Sequence, residues 1–373
     1  MKILRIAQEI YPDIVGGGAY HAHALSRDQA ARGHDVTVLT ISPDVESPQR
    51  ETRAGYTLVR CPSTVSLLGN RVSIDALRFL RQRIGQFDVV HGHAHFYSAT
   101  NVAALLSRFT DVPLAITNHS LISQSVPEWI ARVHLRTVGK FTFGSADLVF
   151  CYTEEERRKL QSLCPSVEVM VVSNGIDQHR FSPNGPRSSA VPESDGLTVL
   201  FVGRLVDGKR PQDAIEAFAS VASEYEEARL VLCGDGPLRA ELETRVEELG
   251  IGDSTHFLGL VDYDEMPGVY RTADVLLLPS RSEGFPRTLM EALSTETAVV
   301  ASDLDQTAAL VRRAGRVAPV EDVESIATHL RELLADPALR EQLGTEGRRI
   351  IENEGYSWES SVEETTNALE RLV

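Results

Sequence analysis

A strand–loop–helix–strand pattern occurs in both halves of this 373-residue chain and constrains its fold more than any other feature. In the first half, a strand over Ile3–Ala7 is followed by a glycine loop, a helix over about 19–32 and a strand over Val36–Ile41. The second half repeats the pattern, with a strand over 197–203 and a helix beginning at Pro211. Such units build parallel sheets. We therefore predict an α/β protein with two Rossmann-like domains that face each other across a cleft.

The stretch 280–293, SRSEGFPRTLMEAL, follows an apolar strand and predicts a binding site. Pro286 suits the first position of a helix, where its missing N–H costs no hydrogen bond. The next three N–H groups, of Arg287, Thr288 and Leu289, would then lie unpaired at the positive end of the helix dipole, which is a natural site for a phosphate.

Two carboxylates frame that predicted phosphate site. Glu283 lies in the loop before the helix, and Glu291 lies just over one turn inside it. Each can reach a hydroxyl group on one side of a ligand whose phosphate sits between them. We interpret the stretch as a sugar-nucleotide site. It contains no D-x-D-like metal motif, so we expect no metal and no other cofactor.

The run E-G-F-P-R-T-L-M-E-A-L resembles the E-x(7)-E signature of retaining GT-B glycosyltransferases, specifically of glycosyltransferase family 4. The resemblance extends through Leu277-Leu278-Pro279-Ser280 before it and Val299–Ser302 after it, and implies a GT-B fold with a nucleoside-diphosphate-sugar donor. It also implies that Glu291 holds the ribose hydroxyls, while Glu283 and the N–H groups of Gly284 and Phe285 hold the sugar.

Four further segments resemble the family in the expected order. The first is G-G-x-x-x-H, which begins at Gly16 and Gly17, and the resemblance implies that this loop approaches the donor diphosphate. The dinucleotide fingerprint G-x-G-x-x-G does not fit the same loop, because its third glycine is replaced. Arg204 and Lys209, in G-R-x(4)-K, match the diphosphate-binding motif and would share its charge. The remaining two matches place Val261 at the nucleobase and Asn174, in N-G-I-D, on the acceptor side.

Histidines mark the ends of two predicted strands. His91, His93 and His95 alternate after one of them, and His119 follows the next. Carboxyl ends of parallel strands line the ligand crevice, so we expect His93 on the acceptor side and treat His91 and His95 as plain loop residues. No carboxylate or cysteine cluster completes a zinc site. The resemblance implies a catalytic position near the donor sugar for His119.

Composition excludes several other classes. A net charge of −16 argues against broad nucleic-acid binding, and no apolar run approaches the length of a membrane span. The four scattered cysteines suit a reducing compartment, and the first residues read as a strand rather than a signal peptide. We therefore expect a cytoplasmic protein.

The charge is unevenly distributed, because residues 1–185 carry 19 Lys and Arg against 17 Asp and Glu. Arg132, Arg136 and Lys140 recur every four residues beside an apolar row. They can rest on an anionic membrane surface or hold a lipid-phosphate acceptor, which would make the protein peripheral at the inner face of the cell membrane. A solvated helix face explains the same pattern.

The turn-rich segment 183–196 predicts a linker between an acceptor domain over 1–182 and a nucleotide-sugar domain over 197–355. The final segment, 356–373, resembles the family tail that crosses back to the first domain. The chain departs from the family after Glu291, where glycine and proline are usual. These departures lie at Glu296, Ala298, Asp305, Gln306 and Ala309.

We predict transfer of a sugar, with retention at the anomeric carbon, to a glycan or lipid-linked glycan of the cell surface. The resemblance implies a same-face substitution in which the leaving phosphate takes the acceptor proton, so Glu283 need not be a nucleophile. Two alternatives stay open. A sugar-nucleotide epimerase of GT-B architecture would consume donor without an acceptor, and a non-catalytic homologue would bind the nucleotide sugar without turnover.

Overall fold

The computed structural model describes residues 1–67, 69–121, 128–192 and 196–373, and the chain divides into two compact units. Unit 1 comprises Met1–Asn174 with Glu359–Val373, and unit 2 comprises Gly175–Trp358. The boundary thus lies ahead of the predicted linker, of which residues 193–195 lie outside the described part. The predicted domain limits stay a prediction.

Unit 1 is built on an eight-stranded sheet with a separate hairpin. Its strands are β1 (Lys2–Ile6), β2 (Asp35–Ser42), β3 (Gln49–Arg53), β4 (Tyr56–Pro62), β5 (Val65–Leu67), β6 (Asn70–Val72), β7 (Val89–His93), β8 (Leu114–Thr117), β9 (Leu148–Cys151) and β10 (Glu168–Val171). The sheet order is β10-β9-β8-β7-β1-β2-β4-β3, parallel except for β3, while β5 and β6 pair alone.

Helices cover both faces of this sheet. They are α1 (Gly17–Ala31), α2 (Ile74–Arg83), α3 (Ser98–Ser107), α4 (Glu128–His134), α5 (Lys140–Gly144) and α6 (Glu154–Leu163). Residues of β1 alternate between the two cores, Leu4 and Ile6 in one and Ile3 in the other, as a strand buried on both sides requires. A π-helical turn over Leu135–Gly139 joins α4 to α5.

Unit 2 has a six-stranded, fully parallel sheet in the order β13-β12-β11-β14-β15-β16. Its strands are β11 (Thr198–Val202), β12 (Arg229–Cys233), β13 (Thr255–Gly259), β14 (Val275–Leu278), β15 (Ala298–Ser302) and β16 (Gly315–Ala318). The remaining helices are α7 (Pro211–Ala222), α8 (Arg239–Glu248), α9 (Met266–Thr272), α10 (Arg287–Ser294), α11 (Ala308–Ala314), α12 (Val323–Ala335), α13 (Pro337–Asn353) and α14 (Trp358–Glu370).

The order of the central strands determines where side chains gather. In unit 1, β7, β8, β9 and β10 are successive neighbours, so the residues that follow them leave the sheet at one edge. In unit 2, β11 lies beside β14, which brings the loop after β11 to the loop before α10. The carboxyl ends of parallel strands are the usual place for ligand sites in such folds. Both predicted groups of functional residues lie there.

Glu296 adopts a left-handed backbone with φ +61°, just before β15. This is the position where the family usually has glycine, and a side chain there costs about 1–2 kcal/mol relative to a relaxed residue. Glu296 is exposed, so its side chain fills no core space. The chain therefore adopts a left-handed backbone at Glu296 without the glycine that would favour it.

We predict that Glu296→Gly stabilises unit 2 by about 0.5–1 kcal/mol, because glycine adopts the left-handed region without strain. Scanning calorimetry should show its transition shifted upward by about 1–4 °C. Glu296→Ala is the matched control, since it removes the same charge but keeps the Cβ. An equal rise in both variants would assign the effect to charge and contradict the prediction.

Candidate active site

In unit 2, the buried Glu283 pairs with the half-buried Lys209. Its Oε1 accepts hydrogen bonds from Lys209 Nζ and, at 2.6 Å, from Ser280 Oγ. Glu283 is only 7% exposed, so its charge needs these partners. The contact joins the loops that follow β11 and β14. Ser280 was not among the predicted site residues, although its position three residues before Glu283 was visible in the sequence.

The second predicted cation of this site, Arg204, has a different environment. Its side chain is exposed, and within the described residues its guanidinium makes no hydrogen bond or ion pair. The backbone of the same loop is fixed, because Arg281 N–H donates to the Gly208 carbonyl at 3.0 Å. Arg204 thus presents a guanidinium without a partner among the described residues, on a loop whose backbone is hydrogen-bonded to the loop before α10.

Glu291 lies in a buried hydrogen-bond network. Tyr263 Oη donates to its Oε1 at 3.1 Å and Tyr270 Oη to its Oε2 at 2.8 Å, while Arg287 Nε lies 3.8 Å from Oε1. Glu291 is 4% exposed, and burial raises the pKa of its carboxyl group despite these donors. Arg287 itself donates to Tyr263 Oη and to the Gly175 carbonyl, both at 3.0 Å.

The two tyrosines of this network were missed in the sequence, because they lie more than twenty residues from Glu291 and no local spacing links them to it. A carboxylate can accept about four hydrogen bonds. Two tyrosines therefore leave Glu291 some accepting capacity. Its predicted contact with ribose hydroxyls stays a prediction.

The start of α10 differs from the prediction in two respects. Pro286 is extended, with ψ 130°, and precedes the helix, which begins at Arg287. The N–H of Leu289 is not free, because it donates to the Pro286 carbonyl at 3.2 Å. This short-range bond is common where a helix begins. The predicted phosphate site therefore has fewer free N–H groups than we expected.

The remaining predicted donor residues of unit 2 lie around this helix start. Gly284 is buried, and the Phe285 ring stacks on Tyr356 with centroids 5.8 Å apart. Thr288 is half-buried, and no hydrogen-bond partner of its buried Oγ1 occurs among the described residues. Val261 is half-buried in the turn after β13. The roles predicted for these residues stay predictions.

Polar aromatic residues form a cluster in unit 1. His119 Nε2 lies 2.9 Å from His93 Nδ1, and its Nδ1 lies 2.7 Å from Tyr152 Oη. His21 packs edge-on against His119, at 5.4 Å between centroids, and its Nδ1 lies 2.9 Å from Asn174 Oδ1. The structure thus brings together the predicted residues His93, His119 and Asn174. Tyr152 was not predicted, since only the pairing of β8 with β9 places it here.

The rings of His93 and His119 are neutral near pH 7. Burial lowers the pKa of His119 to about 4, and burial also lowers the pKa of His93 far below its usual range. A neutral imidazole carries one donor and one acceptor, so the His93–His119 contact is an ordinary hydrogen bond in which one ring donates. The cluster therefore supplies polarity without charge.

The glycine loop lies next to the same cluster. Gly16 and Gly17 are exposed at the beginning of α1, and a Cβ on the adjacent Gly18 would lie 4.0 Å from the His119 ring. His21 is one turn into the helix and faces His119. The loop thus leaves open space at Gly16 and lies near His119 at Gly18.

The structure corrects the prediction for His91, whereas His95 lies in the turn after β7 as predicted. His91 is not a loop residue but a fully buried part of β7, within hydrogen-bonding distance of Arg5 and Thr117. His95 is also fully buried, and packs 4.7 Å from the Phe143 ring. Ala94, which lies between His93 and His95, has φ +60°, and this left-handed residue ends the alternation of side chains along the strand. In the described residues, no three His, Cys, Asp or Glu side chains are grouped as a metal site.

The basic residues Arg132, Arg136 and Lys140 are all exposed, on α4, the π-helical turn and α5. Large apolar side chains are exposed beside them. These are Trp129, which is 69% exposed, with Val133, Val138 and Phe141. Arg108 lies over the Phe141 ring, 5.9 Å from its centroid. We call this set of residues the basic–aromatic surface.

The positions at which the chain departs from the family lie at both ends of β15. Ala298 is buried as its first residue, and Asp305, Gln306 and Ala309 lie in the turn and helix after it. Asp305 and Ala309 are exposed. Gly-Gly is common in the family at this turn, and its replacement here changes the backbone freedom of the segment.

Comparison with known proteins agrees with the geometry of both units. A model described as Glycosyltransferase Family 4 matches residues 15–180, and one described as Glycosyl transferases group 1 matches residues 187–350. The chain belongs to glycosyltransferase family 4. Its activity is that of a glycosyltransferase. Both matches include predicted site residues, and the second contains Arg204, Lys209, Glu283 and Glu291.

Curated relatives of this family are similar over nearly the whole chain. A glycogen synthase of Mycobacterium tuberculosis is 26% identical over 96% of this chain and 92% of its own length. A phosphatidyl-myo-inositol mannosyltransferase of Mycobacterium leprae is 28% identical over 93% and 90%. These two relatives act on different acceptors by name. Membership of the family therefore leaves the acceptor open.

Solved structures show the same fold. Sucrose-phosphate synthase of Thermosynechococcus elongatus superposes with a TM-score of 0.82 at 20% identity, covering 100% of this chain and 98% of its own. HepE of Anabaena, in complex with UDP-glucose, superposes with a TM-score of 0.80 at 18% identity over all of both chains. The fold is therefore GT-B. None of the helices in the described residues is long and apolar enough to cross a membrane.

We predict that Tyr270→Phe lowers the free energy of unfolding by about 1.5–3 kcal/mol, because a buried carboxylate loses a hydrogen-bond donor. Since the pKa of Glu291 is raised in the folded protein, its ionisation removes stability as pH rises through that value. The deficit of the variant should therefore grow as pH rises through that pKa. Urea unfolding over a series of pH values measures it.

Tyr225→Phe is the control for that measurement. Within the described part of the chain, the one hydrogen bond that Tyr225 Oη makes is a long one, which it donates to the Arg331 carbonyl in the same unit at 3.4 Å. Its loss should change stability by no more than about 0.5 kcal/mol. A Tyr270→Phe deficit that is equally small, or independent of pH, would contradict the network described for Glu291.

Proposed function

We propose that the protein transfers a sugar from a nucleoside-diphosphate-sugar donor, with retention at the anomeric carbon, to a glycan or lipid-linked glycan. The observation that carries the proposal is the pairing of buried Glu283 with Lys209, whose loop also carries the exposed Arg204. A cation and a carboxylate at the edge of a parallel sheet suit a ligand with both phosphates and hydroxyl groups. The solved HepE complex, whose ligand is UDP-glucose, supports a donor of this class.

In this proposal the cations of unit 2 stabilise the charge that develops on the departing diphosphate. Arg204 presents a planar fork of donors, and Lys209 presents a point charge. Stabilisation of developing charge is usually the largest catalytic contribution. These protein cations would take the part that Mg²⁺ plays in other transferases, and we propose that the reaction needs no metal.

Retention requires either two displacements or attack from the face that the leaving group vacates. A double displacement needs a carboxylate nucleophile. Glu283 is the candidate for such a nucleophile. Its Oε1 accepts hydrogen bonds from Lys209 and Ser280, however, which lowers its nucleophilicity. We therefore propose the same-face route, in which the leaving phosphate accepts the proton of the acceptor hydroxyl. Glu283 then holds sugar hydroxyls, and Glu291 holds the ribose.

The first experiment is a thermal-shift panel of UDP-, GDP-, ADP- and dTDP-sugars, because a ligand that binds only the folded state raises its stability. The donor that binds is then incubated with glycan acceptors, and NMR of the product gives its anomeric configuration. Transfer with retention supports the proposal. Donor consumed without an acceptor would favour an epimerase, binding without turnover would favour a non-catalytic homologue, and an inverted product would overturn the mechanism.

We predict that Arg204→Ala lowers kcat/KM by about 10²- to 10³-fold without changing thermal stability, because its exposed guanidinium makes no hydrogen bond or ion pair within the described residues. Arg204→Lys should recover only part of the loss, since it keeps the charge but not the fork. Arg331→Ala, which removes an exposed ion pair with Glu224, is the control. Unchanged kcat/KM in Arg204→Ala would exclude it from the site.

We also propose that the basic–aromatic surface of unit 1 contacts an anionic membrane, where a lipid-linked acceptor would be found. Exposed Trp129 and Phe141 beside three cations are typical of segments that lie at a membrane interface. The mannosyltransferase of Mycobacterium leprae, whose named substrate is a phosphatidylinositol lipid, supports an acceptor of this kind.

We predict that replacing Arg132, Arg136 and Lys140 with Gln weakens binding to vesicles containing phosphatidylglycerol about 100-fold, at about 1 kcal/mol for each cation. The difference should shrink as salt is added. The matched control replaces Arg157, Arg158 and Lys159 of α6 with Gln, which removes the same charge from the same unit. Equal loss in both triple variants, in cosedimentation with vesicles, would show a general charge effect and no specific surface.

A further inference from the structure

Glu156 is a buried carboxylate that neither the sequence motifs nor the proposed mechanism uses. It is the third residue of α6, and it is 1% exposed. In the described residues no Lys, Arg or His lies within ion-pair distance of it, and the nearby Lys159 pairs with Glu155 at 3.5 Å. A buried charge without a paired cation costs several kcal/mol. Such a residue calls for an explanation.

Capping of α6 does not provide one. Thr153 caps the helix, since its Oγ1 accepts the Glu156 N–H at 3.1 Å. Glu154 and Glu155 already place negative charge at the positive end of the helix. In a capping box the glutamate returns to the N–H of the cap residue itself. Glu156 instead points to residues outside the helix.

The two partners of Glu156 both hold His119. Its Oε2 accepts the Tyr152 N–H at 3.0 Å, and its Oε1 accepts Asn118 Nδ2–H at 3.2 Å. Tyr152 Oη is hydrogen-bonded to His119 Nδ1, and Asn118 directly precedes His119 in the chain. One carboxylate therefore fixes the segment that carries the imidazole and the phenol that orients it.

We propose that Glu156 is a positioning residue for the reaction, and that it holds the His119 imidazole through Tyr152 and Asn118. This inference rests on the proposed function in so far as His119 contacts a substrate. Both partners of Glu156 are donors, so the ionised carboxylate, which accepts fully on both oxygens, satisfies them best. A proton on one oxygen reduces the accepting capacity of that oxygen and weakens the contact it makes.

The protonation of Glu156 gives the proposal a measurable signature. Burial raises the pKa of this carboxyl group to about 7. The titratable groups around it are Lys159 on the same helix, the Cys151 thiol at the end of β9, the adjacent Tyr152, and His119 beyond Asn118. Burial raises the pKa of Cys151 to about 12. The pKa of His119 is lowered to about 4, so neither His119 nor Cys151 titrates between pH 6 and 8. Loss of an acid limb near pH 7 in Glu156→Gln would therefore assign that limb to Glu156.

Stability and activity should then depend on pH in opposite directions. The folded-state pKa of Glu156 lies above that of the unfolded chain, so the stability it contributes is complete at low pH and is lost as pH rises to about 7. The ionised form, which destabilises the fold, is the form that holds both partners. A residue kept only for stability would behave in the reverse way.

The test compares Glu156→Gln with Glu154→Gln, a matched change of an exposed glutamate in the same helical turn. At pH 8 we expect Glu156→Gln to lower kcat on the order of ten- to a hundred-fold, as misplacement of a reacting group does. Its Tm at pH 8 should be equal to or above that of the wild type, and its activity should lack the acid limb near pH 7. Glu154→Gln should keep the wild-type rate, Tm and pH profile.

Two outcomes would overturn the inference. One is a wild-type rate and acid limb in Glu156→Gln, and the other is a fall of Tm together with activity at every pH, as a structural role requires. Imidazole resonances from ¹⁵N-histidine labelling provide a readout without turnover: the His119 signal should shift in Glu156→Gln and not in Glu154→Gln. If the wild type transferred no sugar, the proposed function would fail, and an unmoved His119 signal would by itself overturn the role of Glu156.

Discussion

The arrangement of unit 2 depends on the contact between Lys209 and Glu283. A carboxylate that is almost fully buried is stable only with a close partner, and Lys209 supplies it from the neighbouring loop. The two loops meet because β11 and β14 pair in register, Leu200 with Leu276, and both leave the sheet at the same edge. The bond between Arg281 and Gly208 holds the two backbones together. The order of two central strands thus determines where opposite charges meet.

The two units differ in the kind of polarity they offer. Unit 2 places charged groups at the edge of its sheet, with Arg204 exposed, Lys209 half-buried and Glu283 buried. Unit 1 places neutral rings at the corresponding edge, because burial keeps His93 and His119 uncharged. Charged groups suit a diphosphate that gains negative charge. Neutral hydrogen-bonding groups suit hydroxyls, which do not change charge until their proton is transferred.

Sequence patterns predicted the elements that repeat and the motifs that are local. The strands at Ile3 and Val36, the helix from Pro211 and the family signature around Glu283 were all visible, because each depends on neighbours within a few residues. Contacts that come from strand order were not. The phenols of Tyr263 and Tyr270 on Glu291, and that of Tyr152 on His119, join segments far apart in the chain.

Local chemistry also misled in places. His91 and His95 were predicted to be plain loop residues, but His91 lies within β7 and both side chains are fully buried. The short strands β3, β5 and β6 were missed, since their residues are exposed and carry no apolar alternation. The bond from Leu289 to Pro286 depends on the angle at which the chain enters α10, which no residue pattern specifies.

The last helix has a consequence for how the chain folds during synthesis. Ala368 and Leu369 of α14 belong to one core of unit 1, and Thr366 accepts a hydrogen bond from Gln29 of α1. That face of the first sheet remains open until these residues have left the ribosome, although its strands are made first. Domains usually fold in the order of their synthesis. Here unit 2 can complete its core before unit 1, so the half made earlier is finished last and is the one that nascent-chain chaperones would need to shield.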